Sequence, residues 1–447
     1  MAQDVLSTAL AASPDRIALV SPDRAWTYAE LATEVSERAD ALRSAVRSGG
    51  AHFFAAGADA AGVVELLACG QIGAAAAPLD PRMTDVERSA AESSLRGVET
   101  DAQVILWTSG TTGRPRGVAL SYENLRASCN AAAERLELGP TDVWLASLSP
   151  AHVGGVALIT RSMFLGCTLV ASGPFDVELF SEQIDGRRLP AGVPPISHMS
   201  LVPTQLLRLL ELRGDARPPL TFRCALIGGA HAPPDLVARA LGAGWPLALT
   251  YGMTEMTSQV ATATPAEVIA EPGSVGRPLG GVEVRVAGEG EIEVRGPTLA
   301  TGYVGSSEPL GGEDGWLRTG DLGHLDGAGA LWVTGRRADR IVSGGVTVDA
   351  THVENVLREH PAVYDVCVVG VRSDEWGESV AAWVVPVEGE LDLDELDEHA
   401  RGRLSEARRP RIWHIHTSVP RNPMGKPDRR RIRAELERGR ASAGGAG

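Results

Sequence analysis

Leu31, Val35, Ala39 and Leu42 recur at helical spacing, which predicts an amphipathic helix opening at Trp26-Thr27-Tyr28-Ala29-Glu30. Thr27 is placed to cap it, and Glu30 three residues on closes a capping box. The apolar region from Ala60 to Leu79 is interrupted by Glu65 and Gln71, so it reads as a buried helix and strand rather than a membrane span. A polar, acidic stretch from Asp85 to Asp101 follows, then a short apolar strand, Val104-Ile105-Leu106-Trp107. A helix pattern runs from Tyr122 to Arg135, a strand from Trp144 to Leu148, and a long apolar helix from Val156 to Leu165 with one charge, Arg161. Leu169 to Ala171, Ala225 to Ala230 and Leu247 to Gly252 continue the alternation, which predicts an α/β fold with a mainly parallel sheet covered by helices. Ligands of such sheets sit beyond the carboxyl ends of the strands. Between about 270 and 336 the pattern changes: Val282 to Val286 and Glu291 to Arg295 alternate apolar and charged residues, as half-exposed antiparallel strands do. After Arg340 a smaller α/β unit is predicted, with helices near 350–359 and 393–404 and strands near 366–371, 380–385 and 412–415. Small residues from Ala441 to Gly447 are expected to be disordered.

A chain of 447 residues is too long for one ordinary core. The formal net charge of −15 argues against a general nucleic-acid binder. Met1 to Val5 lacks the basic start of a signal peptide. Cys69, Cys129, Cys167, Cys224 and Cys367 are scattered and odd in number, which reads as reduced thiols of a cytoplasmic protein without a zinc site. Lys426 is the only lysine in the chain; every other cationic side chain of the Lys and Arg type is arginine. Where arginine serves everywhere else, the lone exception invites a chemical explanation.

The run Thr108-Ser109-Gly110-Thr111-Thr112-Gly113-Arg114-Pro115-Arg116-Gly117 follows the strand at Val104. Its glycines let backbone N–H groups approach a ligand, its hydroxyls donate, and its arginines neutralise charge, so it suits a chain of phosphates. It is not the G-x-x-x-x-G-K-[ST] loop. Taken alone, it is equally a polar surface turn.

Four further segments complete a pattern: Tyr251-Gly252-Met253-Thr254-Glu255, Gly315 to Asp321, Gly335-Arg336 with Gly344-Gly345, and Pro420 to Lys426. With the phosphate-loop run, their order and spacing resemble the adenylate-forming superfamily of acyl-CoA synthetases and luciferase-like enzymes, over nearly the whole chain. Within it, His152-Val153-Gly154-Gly155, Ser200 to Thr204, Tyr251 to Gln259 and the short length are most similar to the o-succinylbenzoate–CoA ligases of menaquinone biosynthesis. The resemblance implies a large N-terminal AMP-binding domain over 1–337, including a small β-rich subdomain, a hinge near Arg337 to Asp339, and a small mobile α+β domain over 338–440, followed by the tail at 441–447. It implies ATP, Mg²⁺, coenzyme A and a small carboxylic acid as ligands, with no nucleic acid and no integral membrane contact. The oligomeric state stays open, a homodimer included.

The resemblance also assigns roles. Thr108, Ser109, Gly110, Thr111, Thr112, Gly113 and Arg116 hold the β- and γ-phosphates. Tyr251 stacks on adenine, beside Gly252, Gly229 and Ala230. Thr254 contacts a phosphate and Glu255 binds Mg²⁺, which wants hard oxygen ligands. Asp321 accepts the ribose hydroxyls, and Arg336 reaches ribose or phosphate. Lys426 bridges the carboxylate and α-phosphate during adenylation, a task suited to a compact charge on a flexible stem. His152 closes the acyl pocket, which Gly228, Gly229, Met253 and Ser258 line, and Gly344 and Gly345 admit the pantetheine arm. Arg161 either pairs with a second carboxylate on the substrate or snorkels to the surface. The basic run Arg429 to Arg433 reads as one solvated face of a terminal helix, with no part in the chemistry.

Three departures stand out. Arg116 sits where the family usually has lysine, Ala338 where the hinge is commonly charged, and Val346 to His352 lacks the family's usual asparagine, proline and acid. They leave three readings: a ligase for o-succinylbenzoate, a ligase of secondary metabolism for another aromatic, polycyclic or terpenoid acid or for a preformed acyl-adenylate, and a non-catalytic nucleotide-binding protein.

Overall fold

The computed structural model describes residues 5–96, 98–108, 116–343, 346–373, 375–387, 391–421 and 426–443. Among them, nine strands form the largest sheet, in the order Arg277–Pro278, Ser258–Ala263, Leu247–Met253, Cys224–Ile227, His198–Leu201, Val143–Leu145, Thr168–Val170, Ile17–Val20 and Ala25–Thr27. Pairings from Leu247–Met253 across to Ile17–Val20 are parallel, and both edges are antiparallel. Neighbouring residues point into opposite cores: Leu19, Trp144, Leu169 and Leu226 into one, Val20, Leu145, Val170 and Ile227 into the other. That alternation under helices on both faces explains why these strands read as continuous apolar runs.

A second sheet runs Gly302–Tyr303, Arg116–Leu120, Val104–Thr108, Ala75–Leu79, Ala51–Ala55. Only its last two pairings are parallel. The expected mainly parallel sheet is therefore two sheets with antiparallel margins. Val104–Thr108 returns directly as Arg116–Leu120, with Thr108 paired to Arg116, so the phosphate-loop candidate is the connection of a hairpin.

Glu283–Val286, Glu291–Arg295, Leu317–Leu325 and Leu331–Arg336 form a wholly antiparallel third sheet, as the alternation of the first two predicts. The C-terminal unit is a fourth sheet of Val346–Asp349, Arg340–Ser343, Gly377–Pro386 and Val363–Ser373, with Ile412–Ile415 parallel to Gly377–Pro386. Its two faces carry separate cores, Val366 and Val368 on one and Cys367 and Val369 on the other. A 3₁₀ turn at Arg337–Asp339 joins it to the preceding strand.

The helix Tyr28–Arg43 has the expected capping box and buries Leu31, Val35, Ala39 and Leu42. Asp85–Ser94, read from sequence as a polar stretch, is a helix with its own capping box from Thr84 and Glu87. The helix Arg429–Ala443 runs three residues into the tail expected to be disordered; Gly444 to Gly447 lie outside the described residues. All five cysteines are buried and unpaired. No described helix is long and apolar enough to cross a membrane.

Candidate functional site

Cys224–Ile227 and Leu247–Met253 run parallel with Ile227 beside Leu249, which brings Gly228, Gly229 and Ala230 level with Tyr251 and Gly252. Gly229 holds φ +78°, which only glycine adopts freely. Past Gly252 the chain doubles back through a 3₁₀ turn, Thr254–Met256, so that Met253 pairs with Ser258. A Cβ on Gly252 would lie 1.9 Å from the Ser258 carbonyl oxygen, so this close return requires glycine. The turn buries Thr254 and leaves Glu255 half-buried at its apex.

Asp321, 4% exposed, faces this turn from the third sheet. Tyr251 donates its hydroxyl to Asp321 Oδ2 at 2.7 Å, and Arg336 donates from Nε to Oδ1 at 2.6 Å. Arg336 is also its register partner across the sheet. Burial and then Asp321 push the Tyr251 phenol well above its usual range. Burial works against the Arg336 charge, but Asp321 outweighs it and raises the guanidinium. The Arg336 side chain is half exposed, with its Nε held on Asp321.

Lys426 arrives from the C-terminal unit. Its ammonium is shifted below the ordinary lysine value, first by burial and then by Arg336, while Asp321, Glu255 and Asp339 oppose the shift. The single lysine thus shares one electrostatic environment with the two motif carboxylates of the larger part of the chain.

Two side chains that carry no motif join the site. Tyr303 donates its hydroxyl to Glu255 Oε1 at 3.0 Å, and the Arg116 guanidinium lies 4.0 Å from the centre of its ring. Asp80, 6% exposed at the end of Ala75–Leu79, accepts from Arg82 Nε at 2.9 Å and Nη2 at 2.7 Å. His152 Nε2 lies 3.4 Å from Asp80 Oδ2. Burial raises the Asp80 carboxyl, but His152 and Arg82 outweigh it and hold the group well below the carboxylate range. A lone acid closing an apolar strand just before Pro81-Arg82 was the available signal for Asp80; Tyr303 offered none beyond its glycine neighbour.

His152 precedes the helix Val153–Leu165, whose interior carries Arg161. Arg161 is 3% exposed, so the snorkelling alternative is wrong: packed helices and strands leave its stem no path to water. The guanidinium lies 5.3 Å from the Trp144 ring centre and donates from Nη2 to Gln259 Oε1 at 2.6 Å, whereas Nε has no hydrogen-bond partner. Among the described residues, no carboxylate lies within ion-pair distance. Burial lowers its pKa, opposed by nearby thiols of Cys129, Cys167 and Cys224. Arg161, Cys129, Ser128, Ala157 and Thr257 line a seam too narrow to hold even a water molecule, so an aromatic acid must part these side chains.

Ser109, Gly110, Thr111, Thr112 and Gly113, and the glycines at 344 and 345, lie outside the described residues; Thr108 and Arg116, and Ser343 and Val346, flank them. One reading needs correcting. Arg429 is not on a solvated face: it pairs with the buried Glu354 and, at 3.2 Å, with Asp339 of the 3₁₀ turn. Arg430 and Arg431 are exposed as expected.

For Mg²⁺ the donor set is suitable. No group of three or more His, Cys, Asp or Glu side chains that could hold a metal occurs among the described residues. Glu255 is a single hard carboxylate, and Mg²⁺ is commonly held by one or two carboxylates together with substrate phosphates rather than by a protein cage.

The model of the AMP-binding enzyme family matches residues 6–96 and 87–304, and that of the AMP-binding enzyme C-terminal domain matches 352–426. A 2-succinylbenzoate–CoA ligase of Bacillus anthracis is 36% identical over 357 residues, covering 77% of this chain and 72% of that protein. Solved structures of the o-succinylbenzoate CoA synthetase MenE of Bacillus subtilis are 28% identical over 96% of this chain. The complex with its acyl-adenylate intermediate OSB-AMP superposes with a TM-score of 0.86 over 97% of that chain, and the complex with ATP and a magnesium ion with 0.86 over 99%. A double mutant bound to the product analogue OSB-NCoA, 29% identical and 97% covered, reaches 0.69.

Proposed function

The chain belongs to the AMP-binding enzyme family, and from that premise we propose that it is an ATP-dependent acid–CoA ligase for an o-succinylbenzoate-like aromatic acid. The observation that supports the reading is the hydrogen-bonded Tyr251–Asp321–Arg336 cluster, whose Asp321 and Arg336, with Glu255, act electrostatically on Lys426 from outside the C-terminal sheet. A carboxylate is a poor electrophile. Its attack on the α-phosphate of ATP forms a mixed anhydride with AMP and expels pyrophosphate; a coenzyme A thiol then displaces AMP to give the thioester. The first step brings two anions together, which requires fixed positive charge and alignment.

In this reading Tyr251 stacks on adenine beside Gly229, Ala230 and Gly252, and Asp321 and Arg336 hold the ribose. Thr254, Arg116 and the loop from Thr108 to Gly113 take the phosphates. Glu255 holds Mg²⁺, which supplies charge neutralisation on the phosphate oxygens. Lys426 spans the acid's carboxylate and the α-phosphate. His152, beside Asp80, closes the acyl pocket, with Gly228, Gly229, Met253 and Ser258 on its wall, and Arg161 receives a second carboxylate. Gly344 and Gly345 pass the pantetheine arm once the small domain, 338–440, has turned about Arg337–Asp339. The unpaired Nε and absent carboxylate partner of Arg161 favour a dianionic acid over a neutral polycyclic or terpenoid one. The non-catalytic alternative has no support from the relatives, which are ligases. A cytoplasmic enzyme acting on small molecules fits the absence of a spanning helix among the described residues.

The test is carboxylate-dependent exchange of labelled pyrophosphate into ATP with a panel of acids, followed by coenzyme A and mass detection of the thioester. Exchange restricted to aromatic acids with a second carboxylate supports the reading; exchange equally good with monocarboxylates defeats the substrate assignment.

A further inference from the structure

Arg116 replaces the lysine usual at its loop position, and the structure contains a device suited to a guanidinium there. Arg116 begins the return strand of the loop hairpin, and its guanidinium lies 4.0 Å from the centre of the Tyr303 ring. The Tyr303 hydroxyl points to a different partner, donating to Glu255 Oε1 at 3.0 Å. One side chain therefore touches both the cation leaving the phosphate loop and the carboxylate at the apex of the Thr254–Met256 turn. Its backbone is fastened on both sides. Gly302 and Tyr303 pair with Ala119 and Val118, Val304 N donates to Gly117 O at 2.8 Å, and Ala300 N donates to Glu255 O at 2.9 Å.

We propose that Tyr303 is a positioning residue of the triphosphate site, its ring seating Arg116 on the phosphates while its hydroxyl holds one oxygen of Glu255 and presents the other to Mg²⁺. The proposal rests on the reading of Glu255 as the metal carboxylate. A planar guanidinium stacks on an aromatic face and a lysine ammonium does so less well, which makes arginine at 116 a matched choice rather than drift. A carboxylate with one oxygen already fixed gives up less freedom on binding a metal, and such supporting hydrogen bonds typically change metal affinity ~10–100-fold.

Tyr303→Phe keeps the ring and removes the donor. Titration of Mn²⁺ by electron paramagnetic resonance, with a non-hydrolysable ATP analogue bound, is expected to show about tenfold weaker metal binding. Half-maximal pyrophosphate exchange then requires correspondingly more Mg²⁺, and saturating Mg²⁺ restores the rate; a merely structural loss lowers the rate at every Mg²⁺ concentration. Tyr303→Leu also removes the seat, so Arg116→Lys raises the KM for ATP in the wild-type background and adds nothing in Tyr303→Leu. Mn²⁺ affinity within twofold of wild type in Tyr303→Phe, or additive effects of the two substitutions, overturns the proposal. A wild-type protein that exchanges no pyrophosphate with any acid defeats the ligase reading instead, and the Mn²⁺ titration still decides the role of Tyr303.

Discussion

Two cations of this chain are held where burial works against their charge, and each yields a prediction of opposite sign for stability and function. Arg161 is 3% exposed without a carboxylate partner among the described residues. A buried charge lacking its counter-ion costs stability, and a hydrophobic replacement of similar volume is often neutral or stabilising. Arg161→Met is therefore expected to raise the thermal midpoint, while the KM for a dicarboxylate acid rises ~10–100-fold, the range of a lost charge-assisted hydrogen bond. Calorimetry and exchange kinetics on one preparation check both; a lower midpoint with unchanged KM returns Arg161 to a structural role. Lys426 has its pKa lowered, chiefly by burial. Because the folded value lies below the unfolded one, burial costs stability in full at low pH, and the cost is relieved as pH rises through the folded pKa. Activity moves the other way, since only the ammonium neutralises phosphate. The alkaline limb of kcat/KM for ATP, which reports the free enzyme, is expected below the ordinary lysine value of about 10.4, and Lys426→Arg is expected to lose it. Lys426→Gln is expected to lower adenylation by ~10²–10³-fold, the scale of one preorganised electrostatic contact. Lys426, Glu255, Asp321 and Arg336 were legible in the sequence because each lies in a contiguous motif. Tyr303 was not, because its significance comes from Glu255, 48 positions away, and pairing across a sheet leaves no local trace.

Elements were read best where one face is buried and a cap marks the start. Tyr28–Arg43 has both. Asp85–Ser94 has the cap but buries only Ala91, so no apolar stripe announced it; the Thr84–Glu87 capping box was the signal present. Antiparallel margins of the two large sheets went unread because periodicity reports which residues are buried and not which way the next strand runs. The terminal helix shows the same limit. Four basic positions in five look like one solvated face, yet helical geometry turns Arg429 inward onto Glu354, which is 4% exposed. Burial would lower the Arg429 pKa, but Glu354 outweighs it and raises the group. Breaking a buried pair from one side leaves an uncompensated charge, typically at ~3–5 kcal/mol. Arg429→Ala is thus expected to destabilise the C-terminal unit by about 3 kcal/mol, against roughly 0.5 kcal/mol or less for Arg430→Ala. Denaturant titration followed by Trp383 and Trp413 fluorescence separates the two; equal losses would restore the solvated-face reading.

At the scale of the whole molecule, the proposed two-step ligation calls for two arrangements of the C-terminal unit, of which the structure shows one. Superposition on MenE falls from 0.86 for the ATP and acyl-adenylate complexes to 0.69 for the product-analogue complex at the same coverage of this chain. Nearly equal identity in those comparisons points to a different placement of the same parts rather than to different folds. On the proposed reading, the electrostatic environment that Lys426 shares with Asp321 and Glu255 suits the adenylation step. A contact between the two parts of the chain can be used to hold this placement. Asn355, on the helix Ala350–Arg358 of the C-terminal unit, reaches His231 of the loop after Gly228 to Ala230, with Nδ2 and Nε2 3.4 Å apart. His231→Cys with Asn355→Cys supplies two thiols for a short, cleavable bis-maleimide. The native cysteines will not compete: all five are buried, and burial raises each of their pKa values, to about 12 for Cys69, Cys167 and Cys224 and about 11 for Cys129. Thiols that stay protonated react slowly. The bridged enzyme is expected to keep acid-dependent pyrophosphate exchange within about threefold of the unbridged double variant, while thioester formation falls at least tenfold, as when a required domain motion is blocked. Cleaving the bridge restores thioester formation. Full thioester activity with the bridge in place would mean that one placement serves both steps, and the hinge at Arg337–Asp339 would lose its purpose.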